Sequence, residues 1–136
     1  MMDINDIMPP DWKIFDYSLV NFDKQLLDIY AKVTELFPGL WVNVKNGVRV
    51  NNWCGLRSPA CNIGAPKSAH RIGKALDLHC ANLTDLREWC TSSEGLAAGI
   101  MRVEATVATP TWVHIDTMPP NPQNWKDKTR PYVFKP

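Results

Sequence analysis

Two histidines and an aspartate carry the chemistry that this sequence offers. The run SAHRIGKALDLHC, from Ser68 to Cys80, places the imidazole of His70 seven residues before the carboxylate of Asp77, with small residues Gly73 and Ala75 between them. A second run, WVHID over 112–116, supplies His114. In ALDLHC the alternation sets Leu76 and Leu78 on one side of a strand and Ala75, Asp77 and His79 on the other. A carboxylate on an otherwise apolar strand needs a partner if it is buried, and a metal ion is one such partner. Two imidazoles and one carboxylate suit Zn²⁺ and leave a fourth position for water, the layout of a catalytic rather than a structural site. His70, Asp77 and His114 are therefore the expected ligands of one zinc ion.

These residues need elements to position them. From Asn21 to Phe37 the apolar positions Phe22, Leu26, Ile29, Val33 and Phe37 recur every three or four residues. That spacing predicts an amphipathic helix, capped by Asn21 or Ser18 and stopped at Pro38 and Gly39. LWVNV and VRVNN bracket Lys45-Asn46-Gly47, a hairpin signal. The glycine- and proline-punctuated stretch 53–67 reads as a long loop ahead of His70, of the kind that lines sites. A strand over 75–80 precedes a short helix starting at Asn82, with a further turn or two in SSEGLAAG. Strands over Ile100–Val107 and Trp112–Thr117 are expected to pair antiparallel around Ala108–Thr111. Residues 1–18 read as an irregular arm pinned by Trp12, Phe15 and Tyr17, and the proline-rich tail over 118–136 as extended on the surface. Helix then hairpin argues for an α+β fold rather than βαβ repeats: a single small domain over 1–136, an antiparallel sheet flanked by helices.

Composition narrows the partners. Fifteen basic and 14 acidic side chains nearly cancel, and no basic block stands out, so a nucleic-acid or polybasic membrane surface is not expected. No apolar run approaches the roughly 18 residues of a bilayer span. MMDINDIMPPDW carries early aspartates and no apolar segment, so no secretory signal is read and the chain is expected to begin in the cytoplasm, as a monomer. The four cysteines (54, 61, 80 and 90) show no CxxC spacing and are read as reduced, partly buried thiols, although Cys54 and Cys61 flank a loop and could approach each other.

Ser68, His70, Gly73, Ala75 and Asp77 form the pattern SxHxxGxAxD, and WVHID follows it. In pattern and order, over about Asn51 to Thr117, the chain resembles the zinc D-alanyl-D-alanine peptidases. Their wider fold group includes peptidoglycan carboxypeptidases, D-Ala-D-Ala dipeptidases, phage endolysins and the hedgehog signalling domain. The resemblance implies the hedgehog/DD-peptidase fold, with His70, Asp77 and His114 as zinc ligands and a peptidoglycan stem peptide as substrate, cut at a bond involving a D-amino acid. It also implies that Arg57, in CGLRSP, sits near the scissile carbonyl. A phage or prophage lysis or tail route would then bring the enzyme to the wall. A non-catalytic zinc-stabilised binding module of the same fold is the alternative, and for Arg57 a solvated loop position.

Relatives of that kind place a glutamate three residues before the second histidine, or a histidine two before it. Here those positions are Thr111 and Trp112, neither an ordinary base. Two carboxylates remain. Asp116 lies two residues beyond His114, on its side of the strand. Glu104, on the preceding strand, faces His114 if the hairpin apex has three residues and turns away if it has two; its length and its place before the histidine make it the preferred base. His79 shares Asp77's side without belonging to the ligand pattern, and Ser68 is read as capping a turn or steadying a ligand. Trp53 and Trp112 are read as core, or as apolar walls for a peptide.

Overall fold

The computed structural model describes residues 3–10, 23–57, 61–65 and 67–136. The roles expected of Trp12, Phe15 and Tyr17, and of Ser18 or Asn21 as a cap, lie outside them. In chain order the elements are α1 (Ile4–Ile7), α2 (Lys24–Leu36), β1 (Val44–Lys45), β2 (Val48–Arg49), a 3₁₀ turn (Ala69–Ile72), β3 (Ala75–Leu78), α3 (Leu83–Cys90), α4 (Ser93–Ala98), β4 (Arg102–Glu104), β5 (Val113–Asp116) and β6 (Tyr132–Phe134). This is the expected α+β composition, with helices flanking a sheet.

The main sheet has the order β3-β5-β4-β6. β3 and β4 pair antiparallel with β5, but β6 runs parallel to β4, so the sheet is mixed rather than antiparallel. The tail expected to lie extended on the surface supplies that edge strand. Its three residues, YVF, alternate as a strand does, but the run is too short among prolines to register as one. The strand expected over Ile100–Val107 shrinks to Arg102–Glu104, and the hairpin expected at 108–111 becomes a looser connection over 105–112. Ile100 is buried in the core instead, just beyond the α4 cap Gly99, whose φ is +111°.

Alternation gives the sheet two unlike faces. Register pairs Asp77 with His114 and Arg102 with both Asp116 and Tyr132, and Glu104 with Phe134. One face therefore carries Asp77, His114, Asp116, Arg102, Glu104, Tyr132 and Phe134. The other carries Leu76, Leu78, Val103, Val113 and Ile115, all fully buried. Against these pack Leu26, Ile29 and Val33 of α2 and Leu86 and Cys90 of α3. Burying aliphatic side chains of this size contributes about 1.5–3 kcal/mol each, so the apolar face anchors the sheet and leaves the other face free for polar chemistry.

Helix ends follow their capping residues. α2 starts later than expected, at Lys24, because Asp23 accepts from the Gln25 N–H and takes the cap position. Asn82 caps α3 as expected and Ser92 caps α4. The hairpin turns through Asn46 and Gly47, with φ of +51° and +76°, which matches a tight two-residue turn.

The N-terminal stretch is not an irregular arm throughout. α1 buries Ile7, and Asp6 beside it is also buried. The Asp6 carboxylate accepts from the backbone N–H groups of Val42, Asn43 (2.7 Å) and Val44 and from the Tyr30 hydroxyl at 2.8 Å. Burial, reinforced by the Asp6 charge, pushes the Tyr30 phenol well above its usual range, so it remains a donor. One carboxylate thus joins α1, α2 and the segment leading into β1. The variant D6A removes the carboxylate on which these donors converge, leaving the Asn43 N–H only the Asp6 carbonyl and the Tyr30 hydroxyl only the Asp3 carbonyl, and we expect it to lower unfolding free energy by about 2–4 kcal/mol. Urea denaturation checks this; a loss below half a kcal/mol refutes it.

Candidate metal centre

His70, Asp77 and His114 are all buried, and one potential ligand atom from each lies within 4.8 Å of the others. Three elements deliver them. Asp77 and His114 are register partners on β3 and β5. His70 comes from the 3₁₀ turn that runs straight into β3. Ser68 caps that turn, accepting from the His70 N–H at 3.3 Å. Gly73 ends it at φ +71°, a conformation that reverses the chain between the two ligands and that other residues adopt only with strain.

Each imidazole is oriented by its second nitrogen. His70 Nδ1 lies 2.7 Å from the carbonyl oxygen of Gly55. A carbonyl only accepts, so Nδ1 carries a proton and Nε2 points at Asp77 Oδ1, 3.3 Å away. That carbonyl is fixed in turn. A Cβ on Gly55 would sit 2.1 Å from the Ile7 carbonyl oxygen, and the next residue, Leu56, donates its N–H to that same oxygen at 2.7 Å. For His114 the orienting group is Asp116, whose Oδ2 is 3.2 Å from Nε2. Nδ1 then faces Asp77 Oδ1 at 2.8 Å.

The donor set fits a cation. His70 Nε2, His114 Nδ1 and Asp77 Oδ1 converge, and as lone pairs they require positive charge among them, a proton or a metal ion. Burial opposes the Asp77 charge, yet hydrogen bonds from His114 and His70 outweigh it and hold the carboxyl well below its usual range. Burial likewise opposes a charged His114, and the bonds to Asp116 and Asp77 reverse the sign, carrying its pKa up to about 9.

The two carboxylates considered as bases occupy different settings. The β4–β5 register directs Glu104 towards His114, with Oε2 3.9 Å from Nδ1, the atom facing the cluster. Burial raises its pKa. Asp116 is fully buried and held by a two-pronged bond from Arg102, at 2.9 and 2.8 Å. Burial alone would raise its pKa, but His114 and Arg102 bring it below the usual carboxylate range.

Arg57 is buried rather than solvated. Its Nε and Nη1 donate to the carbonyls of Trp53 and Ile63, and its N–H donates to the His70 carbonyl. It thereby binds the long loop to the turn bearing His70. His79 stands outside the cluster: its ring stacks on Trp41 and its Nε2 lies 3.5 Å from Cys54 Sγ. Burial, then the Asp77 charge, pushes the Cys54 thiol up to about 12, so it is no thiolate ligand. All four cysteines are free. The Trp112 and Trp53 carbonyls are hydrogen-bond acceptors, for Arg87 and Arg57.

Sequence reasoning missed Arg102, whose alternation with Glu104 in RVE was the available signal, and Gly55, which carried none. A cavity of about 720 Å³ lies between α3, Val103, Val133 and the 125–131 segment; of the site residues only Glu104 borders it. Among the described residues no helix is long and apolar enough to cross a membrane.

No family model, curated protein or solved structure matches this chain. The site stands on its own geometry.

A metal ion binding at Nδ1 must displace the His114 proton, whereas Asp77 is already ionised. We expect zinc affinity to rise by up to about tenfold per pH unit from pH 7 towards 9, then level off. Chelator competition across that range measures it. A flat profile, or affinity that falls with rising pH, contradicts the assignment.

Proposed function

We propose that this chain is a zinc metallopeptidase of the hedgehog/DD-peptidase fold group, hydrolysing a peptidoglycan stem-peptide bond that involves a D-amino acid. One observation carries the metal-dependent hydrolase reading: a buried two-histidine, one-aspartate cluster with a glutamate carboxylate 3.9 Å from the ligand face of His114. The substrate class comes from the resemblance of SxHxxGxAxD and WVHID to the zinc D-alanyl-D-alanine peptidases.

In this reading His70 Nε2, Asp77 Oδ1 and His114 Nδ1 hold the ion. Zinc bound there lowers the pKa of water towards neutrality and polarises a carbonyl. The remaining work falls to the chain's own side chains. Glu104 takes the proton from the attacking water and returns it to the leaving amine, and a carboxylate whose pKa burial has raised is the better suited to both transfers. Asp116 is not free for that task, because both of its oxygens are engaged by Arg102. The resemblance gives Arg57 the task of donating to the oxyanion.

The test is turbidity loss of purified cell walls, with and without a chelator, followed by mass spectrometry of the products. E104Q should lower kcat by about 10²- to 10⁴-fold, the usual contribution of a general base, while zinc content stays near one per chain. Near wild-type turnover in E104Q removes Glu104 from the role. Wild-type protein that holds zinc yet cleaves neither walls nor ordinary L-peptides is a binding module instead.

A further inference from the structure

Asp116 has no exposed surface, and its hydrogen bonding is saturated. Oδ1 accepts from Arg102 Nε at 2.9 Å and from the Met118 N–H at 3.1 Å. Oδ2 accepts from Arg102 Nη2 at 2.8 Å and meets His114 Nε2 at 3.2 Å. The guanidinium carbon of Arg102 lies 4.2 Å from the centre of the Phe134 ring, and that ring stands edge-on to His114 with centroids 5.9 Å apart. Four side chains from three neighbouring strands are thus locked together on the side of His114 away from Asp77.

We infer that the Arg102–Asp116 pair, seated on Phe134, is the positioning device that sets which nitrogen of His114 is offered to the metal. This rests on the metal-centre reading above. The physical reason is the two-fold choice an imidazole has. Rotation by half a turn about its last torsion trades Nδ1 for Cδ2 and Nε2 for Cε1, and the neutral ring carries its proton on either nitrogen; the backbone does not settle that choice. A carboxylate fixed behind the ring does, because it accepts the Nε2 proton and leaves the Nδ1 lone pair facing Asp77 and His70. Arg102 fixes the carboxylate in turn: the planar fork holds both oxygens in one orientation, so Asp116 can neither rotate away nor readily take up the proton itself. The pair acts through His114 and touches no substrate.

The experiment uses the full chain labelled with ¹⁵N at histidine and loaded with zinc. Long-range ¹H–¹⁵N spectra should show His114 with Nε2 protonated, its proton slow to exchange, and Nδ1 metal-bound. Chelator competition should show D116N binding zinc about 10- to 100-fold more weakly than wild type, as is usual when an outer partner of a ligating histidine is lost. R102Q should speed exchange of the Nε2 proton and weaken zinc binding in the same direction. Wild-type spectra with zinc on Nε2 of His114 overturn the inference without any variant, which covers the case in which neither variant folds. It is also overturned if D116N and R102Q melt earlier but keep zinc affinity within about twofold and unchanged His114 resonances, since that is a purely structural role. Wild-type protein that takes up neither zinc nor cobalt fails differently: the metal centre itself is then wrong.

Discussion

The Asp77 carboxylate is buried on β3, at one edge of the main sheet, and the arrangement around it follows from that placement. An ionised carboxylate taken out of water is costly unless positive charge or strong hydrogen bonds compensate it. Here both imidazoles meet the same oxygen. Charge balance extends the point. Asp77, Glu104 and Asp116 bring three carboxylates to one face, while Arg102 is the guanidinium on the same strands. Two negative charges remain, which a divalent cation neutralises in full and a proton on His114 only halves. The electrostatics and the donor geometry therefore favour the same occupant.

What allows such a cluster to exist is the division of labour across the sheet. Five aliphatic side chains on the far face, with their helical partners, supply cohesion. The near face can then carry groups chosen for reactivity rather than packing. The other supports are hydrogen bonds running outward from the site: His70 to Gly55, Leu56 to Ile7, and Asp6 to the segment entering β1. The short α1 helix, remote from the ligands in sequence, thus helps to place the carbonyl that orients one of them.

The strands bearing ligands were legible because ALDL and VHID alternate cleanly and each has only one geometry that buries its aliphatic residues. The α2 helix and the Asn-Gly hairpin were legible for the same kind of local reason. β6 was not, because three residues among prolines carry too little pattern, and its pairing with β4 joins residues about thirty apart. Asp6 was not, because an aspartate in a polar N-terminal run looks solvated, and its acceptor role depends on N–H groups some 36 residues away. The residues of the candidate metal cluster announced themselves by type and spacing. The groups that orient them did not, since one is a backbone carbonyl and another, Arg102, looks like any strand-edge arginine until the register places it opposite Asp116.

That register also separates the two carboxylates that sequence could not. Asp116 and Glu104 lie on the same face, on neighbouring strands, each within reach of His114. The difference is Arg102, which register pairs with Asp116 and whose fork fits a single carboxylate. Asp116, charged and saturated, can hold a neighbour still but has little capacity left for a proton. Among the described residues Glu104 has no such partner, and burial disfavours its charge. Environments that drive two carboxylates in opposite directions are how one site obtains both a fixed dipole and an exchangeable proton acceptor. A three-residue strand, Arg102-Val103-Glu104, thereby does three things: it restrains one carboxylate, closes the core and presents the other.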